Sequence, residues 1–274
     1  MAEAFPTTPE DDLELLRSCA VSAGIIATGY FRRDLKTWTK ENASPVTEAD
    51  LLVDRFLADA LLGARPDYGW LSEESVDDDR RLSCRRTFVV DPIDGTRGFI
   101  RGEDSWTVSL AVVEDGRPIA GVVYAPARDE LYDAYMEGGA RLNGRQLRRK
   151  SVLRRGPLIP APGAVHQELQ AAGLNYMRGP ALPSLAYRLV QVATGALDAA
   201  MVRRGAQDWD IAGAAMILEE CGIAFDDVCA PSIRLNRAEV RHGALAAVHD
   251  PLIKPVLHDA LRRVYGCPSE PVAG

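Results

Sequence analysis

The chain has 274 residues, of which 47% are hydrophobic and 26% charged, so it can bury an ordinary globular core as one large domain or two joined ones. Its formal net charge of −7 argues against non-specific binding to nucleic acid polymers or to an anionic membrane. No run of about 18 apolar residues predicts a transmembrane helix, and the acidic, proline-broken N-terminus lacks the pattern of a signal peptide. We therefore expect a cytoplasmic protein.

The cysteines are five in number and widely spaced, at Cys19, Cys84, Cys221, Cys229 and Cys267. They form neither a CxxC pair nor a Cys/His zinc pattern. This arrangement is typical of reduced thiols in a cytosol and predicts no disulfide framework.

The N-terminal part, residues 1–152, is predicted to combine two helices with an antiparallel sheet. Apolar residues at helical spacing indicate a helix over residues 9–31 and a second from about Glu48 to Leu62, which Thr47 or a residue beside it can cap, with a loop over 32–46 between them. Alternating and β-branched runs predict strands, and tight turns between the later ones indicate antiparallel pairing. The predicted strands are 68–71, 87–90, 106–113, 119–124 and 130–135.

The C-terminal part, residues 153–274, begins with a stretch rich in proline and glycine that marks a boundary. Helices are predicted over 185–194, 209–221 and 250–265, and strands over 196–202 and 244–248. The two parts together predict an α+β or layered α/β fold.

Acidic residues follow apolar strand-like runs, or open a helix, at three separate places. They are Glu73 with Glu74, Asp91 with Asp94, and Asp210. Carboxylates at such positions are costly to bury unless they are paired or bound to metal, and the chain has only four lysines to pair them. A hard divalent cation such as Mg²⁺, which prefers carboxylate and carbonyl oxygens, is therefore the expected partner.

The segment that follows the strand at 87–90 is the predicted reaction centre. Its proline stiffens the turn, so that Asp91 and Asp94 both face one pocket with the Ile93 carbonyl between them as a neutral ligand. Gly95 lets the backbone approach an anion closely. The N–H groups of Gly95 and Thr96 at a helix start, beside Asp94, form the predicted phosphate-binding site.

Four stretches resemble, in order, the motifs of the inositol monophosphatase superfamily of lithium-sensitive Mg²⁺ phosphatases. They are Ser44–Asp50, Ser72–Ser75, Asp91–Thr96 and Trp209–Ala214. The match covers nearly the whole chain, although Ser72 stands where the family usually has glycine. The resemblance implies a five-layer αβαβα sandwich, a homodimer, a small phosphorylated substrate and two or three Mg²⁺ ions per active site.

The resemblance also implies roles for individual residues. The metal ligands are Glu73, Asp91, the Ile93 carbonyl, Asp94 and Asp210, with Asp91 shared between two ions. Thr96, hydrogen-bonded to Asp50, would help deprotonate the attacking water together with Glu73. Glu74 would not bind the metal itself but would help to orient the residues that do. Li⁺ would compete at the second metal position.

The substrate is predicted from a few departures within this family. Arg203 and Arg204 stand where inositol-using members carry an acidic residue, and a guanidinium suits a second phosphate better than an inositol ring. Trp209 differs from the tyrosine of histidinol-phosphate members. Both departures favour a 3′(2′),5′-bisphosphate nucleotidase that hydrolyses adenosine 3′,5′-bisphosphate to AMP, with Lys40 as a further candidate for substrate selection.

Three alternatives stay open. The two arginines can be ordinary solvent-exposed loop charges. The enzyme can then be an inositol-1-monophosphatase or a broad sugar-phosphate or histidinol-phosphate phosphatase. A catalytically silent member that binds metal or phosphate for regulation is a more distant alternative, because every matched ligand residue is present.

Overall fold

The structure, a computed structural model, describes residues 7–40, 45–77, 79–149 and 153–267. Three features of the sequence lie outside the described residues, namely the N-terminus up to Pro6, Ser44 of the first motif, and the predicted part boundary at residue 152. None of the helices in the described ranges has the length and apolarity that a membrane span requires.

Seven α-helices and fourteen strands are formed by the described residues. The helices are α1 (Pro9–Thr28), α2 (Glu48–Ala64), α3 (Thr96–Ile100), α4 (Gly163–Ala171), α5 (Leu185–Thr194), α6 (Asp208–Glu220) and α7 (Lys254–Tyr265). The strands are β1 (Thr37–Thr39), β2 (Pro45–Thr47), β3 (Gly69–Ser72), β4 (Arg86–Asp94), β5 (Thr107–Glu114), β6 (Arg117–Ala125), β7 (Glu130–Tyr135), β8 (Gly139–Leu142), β9 (Arg145–Gln146), β10 (Leu158–Ile159), β11 (Met177–Arg178), β12 (Ala199–Val202), β13 (Ala224–Asp227) and β14 (Leu245–Val248).

The main elements stack in five layers, so the αβαβα sandwich predicted from the resemblance is confirmed. Helices α1 and α2 cover one face of a seven-stranded sheet with the order β3-β4-β5-β6-β7-β8-β9, and α5 and α6 cover its other face. A three-stranded sheet, β12-β14-β13, lies beyond α5 and α6. Helices α4 and α7 close the outer face of this smaller sheet.

The alternation of side chains along a strand explains how each sheet serves two layers. In β4, Phe88 and Val90 pack with α1 and α2, whereas Val89 between them packs with α5 and α6. In β12, Ala200 packs with α5 and α6, and its neighbour Met201 packs with the outer helices. Because α5 and α6 come from the C-terminal part and cover the large sheet, the two parts of the sequence share one core.

The antiparallel pairing predicted for the later strands is confirmed, because β5 to β9 pair antiparallel throughout. Strand β3, for which no pairing was predicted, pairs parallel to β4, to which it is joined by a long connection rather than a tight turn. Other predictions about the elements are wrong. The predicted loop over 32–46 contains the antiparallel pair β1–β2. Helix α4 and the strands β8–β11 and β13 are absent from the prediction, since strands of two to four residues carry too little alternation to be recognised.

The prediction that all five cysteines are reduced is also wrong. Cys229 and Cys267 form a disulfide with their Cα atoms 5.4 Å apart, while Cys19, Cys84 and Cys221 are free. The paired residues are 38 positions apart in the chain. Spacing alone did not reveal the pair, because the bond joins the segment after β13 to the segment after α7, which only the tertiary fold brings within bonding distance.

Candidate active site

The structure brings together three of the predicted metal ligands at one edge of the large sheet. Carboxylate oxygens of Asp91, Asp94 and Asp210 all lie within 4.8 Å of one another. Asp91 is 1% exposed and Asp94 is 6% exposed, so little bulk water screens their charges. A close set of oxygen donors with this much unpaired negative charge fits a hard divalent cation.

A β-bulge in β4 turns both of its aspartates toward this cluster. Asp91 lies opposite Ser109 of β5 and Asp94 lies opposite Thr107, so β4 has one residue more than its partner between the two pairs. In a regular strand, residues three apart face opposite sides of the sheet. The extra residue removes that opposition, and Pro92 is tolerated within the bulge because it owes no hydrogen bond to the ladder there.

Asp94 is held by the first turn of α5. The Oγ of Ser184 donates to its Oδ2 at 2.5 Å, and the backbone N–H groups of Ala186 and Leu185 donate to its carboxylate at 2.7 and 3.2 Å. Ser184 is at the same time the N-cap of α5, because its Oγ accepts from the N–H of Tyr187. Ser184 is absent from the predicted site residues, although a serine before an amphipathic helix is a recognisable capping signal.

Gly95 is required for a reason other than the predicted one. Its φ is +91°, and a Cβ placed on it would lie 2.9 Å from the backbone nitrogen of Ser184. Only glycine combines this backbone conformation with such close contact between the two segments. Its predicted contact with phosphate stays a prediction.

Asp50 and Asp210 are both positioned by capping boxes. Each is the third residue of its helix, and one carboxylate oxygen accepts the backbone N–H of the N-cap residue, from Thr47 at 2.8 Å and from Gln207 at 2.7 Å respectively. This arrangement satisfies orphan N–H groups at the start of α2 and α6. The positions of both carboxylates are therefore fixed by backbone rather than by flexible side chains.

The predicted hydrogen bond between Thr96 and Asp50 is present. The Oγ1 of Thr96 lies 3.1 Å from Oδ1 of Asp50 and 3.0 Å from the carbonyl oxygen of Ile93. The hydroxyl has one hydrogen to donate, which these two oxygens share. The Ile93 carbonyl, predicted as a metal ligand, thus lies beside the same hydroxyl.

Lys40, the further candidate for substrate selection, pairs with two acids. Its Nζ lies 2.9 Å from Oε1 of Glu73 and 2.6 Å from Oε1 of Glu74, and it is not among the residues that line the cavity beside Asp94 and Asp210. Its role in substrate selection stays a prediction. Among the described residues, Glu73 is not a member of the close carboxylate cluster. Its charge nevertheless raises the pKa of Asp91, which places it near that cluster.

The carboxyl groups of Asp91, Asp94, Asp210 and Glu74 have raised pKa values, because burial disfavours their charged forms. Burial, followed by the charge of Asp94, raises the pKa of Asp210 to about 8. Burial raises the pKa of Asp94 to about 6, against the hydrogen bonds at α5, and that of Glu74 to about 7. For Asp91, burial and then Glu73 raise the pKa well above its ordinary value.

A cavity of about 310 Å³ adjoins the carboxylate cluster. Asp94 and Asp210 line one side of it, and two arginines, Arg188 of α5 and Arg203 after β12, also line it. Arg204 does not, and instead lines a separate cavity beyond β13. The sequence-based grouping of Arg203 with Arg204 is therefore wrong for Arg204, and Arg188 is a cavity residue that the sequence reasoning missed. Arg188 lies four residues after Ser184 on the same helix face, which is the pattern that would have revealed it.

Comparison with known proteins agrees with this fold. A profile described as the inositol monophosphatase family matches residues 10–261. An inositol-1-monophosphatase of Rhizobium meliloti is 33% identical over 205 residues, which cover 69% of this chain and 74% of that protein. The 3′(2′),5′-bisphosphate nucleotidase CysQ of Haemophilus influenzae is 29% identical over 210 residues, covering 72% and 77%.

A solved structure of similar architecture is that of inositol monophosphatase-II from Staphylococcus aureus with bound 2′-AMP. It has a TM-score of 0.76 and 25% identity, and the match covers 92% of this chain and 97% of that one. The layered fold and the buried carboxylate cluster together define a metal-dependent phosphatase, which is a hydrolase. The chain belongs to the inositol monophosphatase family.

Proposed function

We propose that this phosphatase is a Mg²⁺-dependent 3′(2′),5′-bisphosphate nucleotidase, which hydrolyses adenosine 3′,5′-bisphosphate to AMP and phosphate. The observation that carries the proposal is the position of Arg203, which lines the cavity beside Asp94 and Asp210. A substrate whose scissile phosphate lies at the carboxylates can then place a second phosphate toward a guanidinium. The relatives do not decide the substrate, since their identities of 33% and 29% are similar.

The residues present fit the metal that this reaction needs. Asp91, Asp94 and Asp210 would hold Mg²⁺, with the Ile93 carbonyl and Glu73 as the remaining predicted ligands. When bound, Mg²⁺ supplies a Lewis acid that makes water acidic at neutral pH and offsets the charge of the phosphoryl oxygens. Lys40 contacts Oε1 of Glu73 at 2.9 Å, so Glu73 would serve as a ligand through Oε2 or by giving up this contact.

Side chains of the protein would then orient the attacking water and accept its proton. When Thr96 donates its hydrogen to Asp50, the lone pairs on its Oγ1 are free to accept a hydrogen bond from that water. Burial raises the pKa of Asp50 to about 6, so this carboxylate is a stronger base than an exposed aspartate. Together with Glu73, this pair would orient the water and receive its proton. Asp94, Gly95 and Thr96 would contact the scissile phosphate.

The other candidate substrates are monophosphates of inositol, of other sugars or of histidinol. A neutral inositol ring offers nothing that requires two guanidinium groups beside the site, so the cavity favours a second anionic group. Cytoplasmic location, a homodimer and inhibition by Li⁺ belong to the same proposal.

A panel of substrates tests the proposal. With Mg²⁺ present, we expect kcat/KM for adenosine 3′,5′-bisphosphate to exceed that for the monophosphates inositol-1-phosphate and histidinol phosphate by about tenfold or more, the contribution of one charged hydrogen-bonded contact. Fructose-1,6-bisphosphate, which also carries a second phosphate, tests whether the nucleoside is needed as well. A preference for inositol-1-phosphate would replace the nucleotidase assignment with an inositol monophosphatase. Silence on every ester would indicate the regulatory alternative.

A matched pair of variants tests the role of Arg203. Arg203→Glu should damage hydrolysis of the bisphosphate far more than hydrolysis of a simple monophosphate. Arg204→Glu makes the same charge change one residue away, at a side chain that lines another cavity, and should leave both activities close to wild type. Equal losses on both substrates in Arg203→Glu would overturn the proposal.

A further inference from the structure

Arg188 is a cation of α5 that takes no part in the proposed metal binding or proton transfer. Its Nε is buried and, within the part of the chain that the structure describes, has no hydrogen-bond partner. A buried guanidinium nitrogen without a partner is costly, because folding removes its water without replacing the hydrogen bond. The side chain also lines the cavity beside Asp94 and Asp210.

The position of Arg188 follows from the same helix turn that holds Asp94. Ser184, one turn earlier on the same face, donates to Asp94. Helix α5 therefore presents to this region a hydroxyl that fixes a predicted metal ligand and, one turn further along, a guanidinium. One rigid helix, rather than a loop, therefore sets the distance between the Ser184 hydroxyl and the Arg188 guanidinium.

Charges of both signs act on the Arg188 guanidinium. Burial lowers its pKa, the charges of Asp94 and Asp210 oppose that change, and the like charge of Arg203 adds to it. Once a divalent cation offsets the charges of Asp94 and Asp210, their attraction for the Arg188 guanidinium is largely lost. Arg188 and Arg203 both line this cavity, and an anion is the group that would satisfy both guanidinium groups.

We propose that Arg188 and Arg203 together form a second anion-binding site that receives the phosphate the enzyme does not cleave, and that Arg188 is its buried, specificity-determining member. The proposal rests on the proposed phosphatase function and deepens it. It narrows the substrate class to small molecules that carry a second phosphate at a fixed distance from the scissile one. For an adenosine substrate cleaved at the 3′ position, the retained group is the 5′-phosphate.

Two nucleotides that differ only in the retained group provide the kinetic test. Adenosine 3′,5′-bisphosphate and adenosine 3′-monophosphate share the same scissile phosphate. In Arg188→Met, kcat/KM for the bisphosphate should fall by about tenfold to a hundredfold, the value of one or two charged hydrogen bonds. The loss for the 3′-monophosphate should be much smaller. Arg188→Lys, which keeps the charge but not the fork of donors, should fall between Arg188→Met and wild type.

Equilibrium binding gives a readout that does not depend on turnover. With Mg²⁺ present, the dissociation constant of the product AMP should rise by about tenfold or more in Arg188→Met, whereas that of adenosine, which lacks the phosphate, should stay close to wild type. Arg204→Met is the matched control, since it removes a neighbouring arginine that lines another cavity, and both constants should be unchanged.

A role for Arg188 as a mere counter-ion of the carboxylates predicts different results. In that case Arg188→Met would lower both nucleotide activities equally and shift the dissociation constant of Mg²⁺, and either outcome would overturn the second site. If Arg188→Met does not fold, the ratio of kcat/KM for the bisphosphate to kcat/KM for the 3′-monophosphate can be measured in Arg188→Gln and Arg188→Lys instead. Loss of all Mg²⁺-dependent hydrolysis in the wild-type protein would instead refute the phosphatase proposal, and a wild-type enzyme without preference for the bisphosphate would refute the second site alone.

Discussion

The Oγ of Ser184 donates a hydrogen bond to Oδ2 of Asp94 at 2.5 Å, across 90 residues of sequence. The contact joins the end of β4 in the large sheet to the start of α5. One side chain thereby caps a helix and orients a predicted metal ligand. The stability of α5 and the geometry of the acidic site are consequently linked.

Ser184→Ala tests this link. Loss of the cap should lower the free energy of unfolding by about 1 kcal/mol. Loss of the bond to Asp94 should raise the Mg²⁺ concentration for half-maximal activity by about tenfold to a hundredfold, as is usual for a partner that orients a ligand. Chemical denaturation and a Mg²⁺ titration measure the two effects. Ser22→Ala on α1, whose hydroxyl bonds only to the carbonyl of Ser18 in the described structure, is the control and should leave the titration unchanged.

Asp91→Asn separates the chemistry from the fold. The variant should lose more than about a hundredfold in activity, beyond the effect of a residue that only supports a ligand. In the presence of a chelator it should unfold at the same temperature as wild type or higher, because burial and neighbouring acids already disfavour the charge of Asp91. Activity assays and thermal melts are the measurements. Near-wild-type turnover would contradict the assignment of Asp91 as a metal ligand.

Asp210 should make the metal-free protein less stable as pH rises. Its pKa in the folded protein is raised to about 8 from an ordinary value of 3.8, so the folded state holds this proton more tightly than the unfolded state. Between these two values the contribution of Asp210 to stability falls with increasing pH. Thermal melts with a chelator from pH 5 to pH 8.5 should show a decline that is shallower in Asp210→Asn. Parallel curves would contradict the raised pKa.

Mg²⁺ should reverse this trend in the wild-type protein. A carboxylate must lose its proton to bind metal, so the increase in melting temperature on adding Mg²⁺ should be larger at pH 8 than at pH 5. The Asp210→Asn variant should show a smaller increase at both values. An increase that does not depend on pH would count against metal binding by these carboxylates.

Arg86 and Arg85 offer a matched comparison of a buried and an exposed ion pair. Both contact Glu114, but the Arg86 side chain is 11% exposed and also pairs with the fully buried Asp12 at 2.9 Å, whereas Arg85 is 76% exposed. Arg86→Met removes the nearest cation from Asp12, which keeps Arg65 at 3.4 Å, and should cost about 3 kcal/mol of unfolding free energy. Arg85→Met should cost less than about 1 kcal/mol. Urea denaturation of the two variants measures both, and equal losses would contradict the buried-pair interpretation.

The disulfide between Cys229 and Cys267 should stabilise the C-terminal layer. Cross-linking residues 38 positions apart restricts the unfolded chain, which predicts a loss of about 2–4 kcal/mol on reduction or in Cys267→Ser. Denaturation with and without a reductant measures the effect. Cys84→Ser alters a free cysteine and should change nothing. A reductant that leaves the wild-type midpoint unmoved would show that the bond contributes no stability.

The parts of the site that were predictable are those encoded within a few residues of each other. Asp91 and Asp94 stand three apart after one apolar strand, and Thr47 stands three residues before Asp50 in a capping box. Such local patterns carry their own geometry, because a strand or a helix start places the side chains without help from the rest of the chain. The bulge that turns both aspartates the same way lies between them, at the position of Pro92.

The parts that escaped prediction depend on contacts between distant segments. Lys40 pairs with Glu73 across 33 residues, and Ser184 reaches Asp94 across 90. Neither sequence pattern nor spacing indicates such a partner, because the same residue types occur at many exposed positions. Packing of α5 against the large sheet selects the partner in the second case.

The sequence by itself identified a phosphatase and predicted which carboxylates bind its cation, because the motifs that carry them occur in the order typical of the family. Only the tertiary structure decided which cations share their cavity. Arg203 and Arg204 are adjacent and chemically identical, yet successive side chains leaving a strand point in different directions, so one lies beside Asp94 and Asp210 and the other does not. Arg188 of helix α5, which the sequence reasoning did not single out, lines this cavity together with Arg203.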